Sequence, residues 1–161
     1  MTMRAFFSFH YERDHWRVQQ VLNMGALEGQ TVLNHQAWEE VKRKGESAIK
    51  TWIDGQMEGK SVVVVLVGAQ TAGRKWVQYE IGHAWDNYKP LVGLRVHGLQ
   101  NDFKQTDQAG PNPFATVTLT GGGTVADHVP LFNPAGATSQ AVYADIQKNL
   151  LTWVDSAVAR R

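Results

Sequence analysis

Apolar positions along the first hundred residues alternate between two rhythms. Residues 4–10, Arg-Ala-Phe-Phe-Ser-Phe-His, form an aromatic-rich run with little polar interruption, which suits a strand covered on both faces rather than a solvated hairpin. From 11 to about 24 the rhythm changes. Trp16, Val18, Val21 and Leu22 recur near helical spacing, and Gly25 supplies a stop. Residues 31–33, Thr-Val-Leu, read as a short second strand. A polar stretch carrying Trp38 follows, and then a helical pattern from 46 to about 57 through Ile49, Trp52 and Ile53, ended by Gly59. Residues 62–67, Val-Val-Val-Val-Leu-Val, are the clearest element, a β-branched run between Ser61 and Gly68 that marks a central parallel strand buried on both faces. Val77, Ile81, Ala84 and Tyr88 then form one stripe of an amphipathic helix predicted over 73–88 and stopped by Pro90. Residues 91–96 make a fourth strand.

Between 97 and about 139 the character changes, with Gly, Pro, Asn, Asp and Thr dense and Gly121-Gly122-Gly123 in the middle. This segment reads mostly as loop. Residues 114–119 alternate enough for a fifth, edge strand, and a connection this long in one domain is uncommon unless it is functional or mobile. A closing helix over about 140–158 carries the stripe Val142, Ile146, Leu150, Trp153 and Val154. Strands separated by single helices imply right-handed crossovers and a parallel sheet with helices on both faces. The expected fold is therefore an α/β, flavodoxin-like three-layer domain, with a mainly parallel five-stranded sheet in the order 2-1-3-4-5. It occupies residues 1–161, with a loop-rich insertion over about 98–138. In such sheets ligands bind outside the carboxyl ends of the strands, near the switch between strands 1 and 3. That geometry singles out Ser8, Phe9, His10 and Tyr11, the turn 68–73, and the first turns of the helix after it.

The composition narrows the chemistry. With 161 residues, 43% hydrophobic and 19% charged, the chain has the make-up of one packed globular domain. The absence of cysteine excludes disulfides, thiolate metal sites and cysteine nucleophiles, and fits a reducing cytoplasm. Sixteen basic residues against fifteen acidic ones give a net charge of +1, which supplies no general field for DNA, RNA or an anionic membrane. The longest apolar run, 62–67, falls far short of the roughly 20 residues that span a bilayer. The first residues lack the apolar region of a secretory signal, so a cytoplasmic location is expected. Six histidines are scattered without a His-x-x-x-His ligand pattern, so no metal site is expected. Gly121-Gly122-Gly123 has neither the leading strand nor the following helix of a dinucleotide fingerprint. No Gly-x-Ser-x-Gly elbow occurs, and Lys42-Arg43-Lys44 after Glu39-Glu40 reads as solvated surface.

Trp76 and Glu80 are four residues apart, so they share one helix face near the predicted crevice. An aromatic beside a carboxylate suits a nucleotide, since an indole can stack on a ring and a carboxylate can accept hydrogen bonds from ribose hydroxyls and stabilise positive charge developing on a sugar. The competing reading of the same spacing is a packed aromatic beside a solvated carboxylate. Similar pairs of readings attach to the other candidates. His10 could bond a phosphate or ribose, or be half-buried and satisfied. Ser8 and Phe9 could offer a hydroxyl and a stacking ring, or belong to the core. Arg13 could meet a diphosphate or be solvated. Trp38 could edge the pocket or simply pack.

Taken in order, Phe6-Phe7-Ser8-Phe9-His10-Tyr11-Glu12-Arg13-Asp14, the run 61–68, Trp76-Val77-Gln78-Tyr79-Glu80-Ile81 and Pro90-Leu91-Val92-Gly93-Leu94 resemble the TIR-like family. The resemblance is closest to the branch found in prokaryotic antiviral systems of the Thoeris type. It covers about residues 4–98, while the remainder matches in broad layout. In catalytic members it implies cleavage of the nicotinamide–ribose bond of NAD by the glutamate of Trp-x-x-x-Glu, here Glu80. NAD would then be a substrate rather than a bound cofactor, with Ser8, Phe9, His10, Trp76, Trp38 and Arg13 shaping the pocket. Asp14 matches an acidic position after the first strand and is expected to be structural or capping. The resemblance further implies an ADP-ribose-derived signal, often cyclic, that reaches a separate effector protein. The alternative it carries is a non-catalytic interaction module acting by self-association. A response-regulator-like phosphoacceptor is disfavoured, because the run after strand 1 lacks the adjacent acidic pair and strand 3 ends in Val67-Gly68 rather than Asp.

Overall fold

The strands are β1 (Met3–Ser8), β2 (Leu27–Gly29), β3 (Val62–Val67), β4 (Leu91–Arg95) and β5 (Leu131–Phe132). The helices are α1 (Tyr11–Leu22), α2 (His35–Arg43), α3 (Glu46–Met57), α4 (Lys75–Asp86) and α5 (Ser139–Asp155). The structure is a computed structural model that describes residues 3–29 and 35–161, with the side chains of 35–38 outside the description. All strand pairs are parallel, in the order β2-β1-β3-β4-β5, as the alternation of strand and helix patterns predicts.

Every residue of β3 is at most 2% exposed, and its alternate side chains enter two separate cores. Val62, Val64 and Leu66 join Ala5 and Phe7 of β1 against Val18 and Val21 of α1 and Ile146, Leu150 and Val154 of α5. Val63, Val65 and Val67 join Phe6 against Ile49, Ile53 and Met57 of α3 and Val77, Ile81 and Ala84 of α4. The β1 register places Phe7 beside Val64 and Ser8 beside Val65, so Ser8 shares the α3/α4 side with Phe6. Strand ends and helix starts converge there, at the carboxyl edge of β1 and β3.

Some expectations change, and one falls outside the described residues. The strand expected over 31–33 falls outside the described residues, and the partner of β1 is Leu27–Gly29, with Met3 opposite Leu27 and Ala5 opposite Gly29. Gly29 lies against the Phe7 ring, where a Cβ would collide. Trp38 sits within a helix, α2, rather than in a polar stretch before one.

The fifth strand is also not where the alternation put it. Pro113–Thr116 forms a 3-10 turn, because Asn112 caps it by accepting the Phe114 N–H at 2.9 Å and Pro113 opens it. Phe114 is fully buried against Gly93 of β4, whose missing side chain makes the space. The edge strand is Leu131–Phe132, paired with Gly93 and Leu94. The closing helix stops at Asp155, and Val158 beyond it bridges antiparallel to Leu91 through two 2.9 Å hydrogen bonds. No helix among the described residues is long and apolar enough to cross a membrane.

Candidate active site

Two chain segments leave the sheet side by side at this edge. After β1, Phe9 and His10 lead into α1. After β3, the Gly68 N–H donates to Thr71 Oγ1 at 2.7 Å, and the 3-10 turn Thr71–Gly73 directs the chain into α4. Tyr79 ties α4 to α3 by donating to Asp54 at 2.8 Å, with its own phenol pushed up to about 12 by burial and by that bond. One helical step further, Glu80 turns inward.

Ser8 Oγ donates to Glu80 Oε1 at 2.7 Å. Ser8 is fully buried and Glu80 is 8% exposed. Among the described residues Oε2 of Glu80 has no hydrogen bond and the carboxyl has no cationic partner. Burial pushes the group up to about 8, and the Ser8 hydroxyl opposes that rise by favouring the ionised form. A carboxyl kept in this condition ionises when a positive charge comes near it. It is therefore suited to a substrate that is cationic or becomes so during reaction.

His10 is 6% exposed and caps α1, its Nδ1 accepting the Arg13 N–H at 3.3 Å. That bond puts the ring proton on Nε2, where it can be donated. Burial, and then the Arg74 charge, lower the imidazole pKa, so the ring is neutral at pH 7. Trp76 lies one turn before Glu80, half-buried on the α3/α4 core, edge-on to Tyr79 at 5.8 Å and with Lys75 Nζ 5.2 Å from its ring centre. Phe9 packs on the opposite, α1/α5 side, tilted against Tyr11 at 6.1 Å. Arg13 is engaged by Asp107, with Nε to Oδ2 at 2.7 Å and Nη2 to Oδ1 at 3.1 Å, so its guanidinium is occupied by the loop. Trp38 has no described side chain. The structure thus brings Ser8 and Glu80 into contact, places His10 two residues further along the same chain exit, and sends Phe9 and Arg13 into other contacts.

The sequence reading passed over Arg17. It is 1% exposed and bonds Asp14 Oδ1 at 2.8 Å, the Leu99 carbonyl at 2.8 Å and the Gln105 carbonyl at 2.9 Å. Asp14 is structural but not the cap, since His10 caps the helix. Among the described residues its Oδ2 has no hydrogen-bond partner, and it abuts Gly68, where any Cβ would strike the carboxylate. Arg95 bonds the Gly110 carbonyl at 2.7 Å, and Gly110 rests on the carbonyls of Gly68 and Ala69. These contacts fasten the stretch 97–110 across the carboxyl edge of the sheet. The available signal was the buried face of α1: Asp14 and Arg17 occupy the same stripe as Val18 and Val21, where solvated charges do not belong.

A cleft of about 1010 Å³ lies at the other end of α4, lined by Gly82, Trp85, residues 117–122, His128 and the chain after α5, and contains none of the predicted site residues. No grouping of three or more metal-binding side chains occurs among the described residues.

The model of the TIR-like domain of the Thoeris protein ThsB matches residues 6–101, which include the second half of β1, β2 to β4, Ser8, His10 and Glu80. This chain belongs to that TIR-like family. A curated relative from Bacillus cereus (strain MSX-D12), named "Putative cyclic ADP-D-ribose synthase ThsB1", is 33% identical over 124 residues, covering 71% of this chain and 62% of the relative. The match therefore spans less than two thirds of that protein's length. The TIR-like match stops just past β4, so β5, α5 and most of the fastened loop lie beyond it.

Proposed function

We propose that this TIR-like protein cleaves the nicotinamide–ribose bond of NAD at Glu80 and converts the ADP-ribosyl part into a diffusible, linear or cyclic, signal in antiphage defence. The observation that carries the reading is the buried Glu80 carboxyl, without a cation among the described residues, held by Ser8 at the carboxyl end of β1. The name of the Bacillus cereus relative supports the same reaction class.

The chemistry follows from the charges. In NAD the pyridinium carries the positive charge, and when the C1′–N1 bond breaks the electron pair returns to nitrogen and nicotinamide leaves neutral. Its departure therefore needs little acid assistance. The charge passes to C1′ and the ring oxygen of the ribose, where an adjacent carboxylate lowers the barrier. The approaching pyridinium itself favours the ionised form of Glu80, and the Ser8 hydroxyl adds to that preference. Water at C1′ gives ADP-ribose, and a hydroxyl or adenine nitrogen of the same molecule gives a ring; enclosure and proximity select between them. His10 can donate Nε2–H to a ribose or phosphate oxygen, and Trp76 presents its half-buried indole one turn before Glu80. NAD is a substrate in this account and no cofactor is retained. Communication with a separate effector runs through the released nucleotide, in the cytoplasm, without nucleic acid or membrane contact.

Mass spectrometry of small molecules from cells expressing this chain, with and without phage, tests the proposal. It expects an ADP-ribose-derived product on infection that is missing with Glu80→Gln. The same product at the same level in the variant would overturn it.

A further inference from the structure

The reaction proposed above asks Glu80 to meet the ribose in one orientation, yet a glutamate reaches its carboxyl through three rotatable bonds. Other charged groups at this end of the sheet have partners of their own. Asp14 is bound to Arg17, Arg13 to Asp107, and Arg74 to Glu12, while His10 caps α1. Among the described residues the Ser8 hydroxyl is the hydrogen-bond partner of Glu80. Ser8 is the last residue of β1, fixed in register beside Val65 of β3, and faces α4 from a fully buried position. The two partners are 72 residues apart in sequence and both sit on regular elements, so the bond joins two rigid parts of the scaffold.

We propose that Ser8 is a positioning residue for Glu80, its hydroxyl holding Oε1 so that Oε2 is left to face the developing charge on the ribose. Ser8 touches no substrate in this arrangement, which replaces the ligand-binding hydroxyl expected from the sequence. The inference rests on the function proposed above for its purpose, but not for its test.

The test follows the Glu80 carboxyl directly, by carbon NMR of the full chain with labelled glutamate, assigned by the signal lost in Glu80→Gln. A donated hydroxyl stabilises the ionised form, so Ser8→Ala moves the titration midpoint upward, with about a tenfold weaker ionisation constant. Ser8→Thr keeps the hydroxyl and restores the midpoint to near the wild-type value, and Ser8→Cys, a weaker donor of similar size, falls between. An unmoved midpoint in Ser8→Ala, or a threonine variant displaced as far as the alanine one, overturns the assignment. Turnover supplies the second readout: kcat falls about 10- to 100-fold in Ser8→Ala while KM stays within about threefold. A raised KM at unchanged kcat would instead make Ser8 a binding group and overturn the proposal. Because the titration needs no turnover, the two readings fail separately. A chain that never cleaves NAD sinks the function, and the midpoint still decides Ser8.

Discussion

Asp14, in the first turn of α1, and Glu80, in the second turn of α4, are both buried carboxyl groups near the carboxyl edge of the same sheet, and burial raises the pKa of each. Their surroundings differ. Asp14 is joined to Arg17, whose remaining N–H groups hold the carbonyls of Leu99 and Gln105, so the charge is offset and used to fasten a loop. Glu80 has a serine hydroxyl and no counter-ion among the described residues. Buried charges in proteins are as a rule paired, since an unpaired one is costly to desolvate. A carboxyl left unpaired beside a strand end is therefore the better candidate for chemistry, and the paired one for structure.

The largest expected effect on stability lies on the structural side. Arg17→Met strands Asp14 without its ionic partner and leaves the Leu99 carbonyl unbonded, costing about 3–5 kcal/mol, measured by urea unfolding. A loss below about 1 kcal/mol would erase the distinction between the two carboxyls.

An oppositely signed effect, smaller within any one pH unit, is expected at Glu80. Its pKa in the folded protein, about 8, lies above the ordinary 4.5, so the folded state favours the protonated form. The corresponding stability is fully present below pH 4.5 and is lost as the pH rises through 8, at up to about 1.4 kcal/mol per pH unit. Glu80→Gln lacks this dependence. Melting temperatures from pH 5 to pH 9 therefore show the wild type losing ground to the variant as pH rises, and parallel curves would contradict the unpaired state.

The smallest effect is at the rim. Arg13 and Asp107 form a two-bond ion pair with Arg13 39% exposed, so Arg13→Ala costs under about 1 kcal/mol and costs less in high salt. A loss comparable to that of Arg17→Met would mean the loop is held from its edge rather than from the buried guanidinium.

What the sequence discloses follows from what leaves a periodic trace. The run 62–67 and the stripe Val77, Ile81, Ala84 announce β3 and α4 because burial on two faces, or on one stripe, fixes residue type at regular intervals. Glu80 was visible for the same reason, as a position on that helix. The segment 97–138 is built differently. Asn101 accepts the N–H groups of Phe103 and Gln105, Asn112 caps one 3-10 turn, and Thr124 and Asp127 cap each other in another. Such local side-chain bonds have no period, and the Phe-Ala-Thr-Val-Thr-Leu alternation at 114–119 imitates a strand. A two-residue β5 is too short to signal itself. Contacts such as Arg13 with Asp107, 94 residues apart, or Ser8 with Glu80, depend on the assembled fold. For that reason the partner of Glu80 was not legible although its place was.

The most direct measurement is the rate of nicotinamide release from NAD by the protein recovered from phage-challenged cells, wild type against Glu80→Gln. Release by the wild type, slowed at least about 100-fold in a variant that still melts cooperatively, is the predicted result. Equal rates in the two proteins, or no release from either, would contradict the role assigned to Glu80.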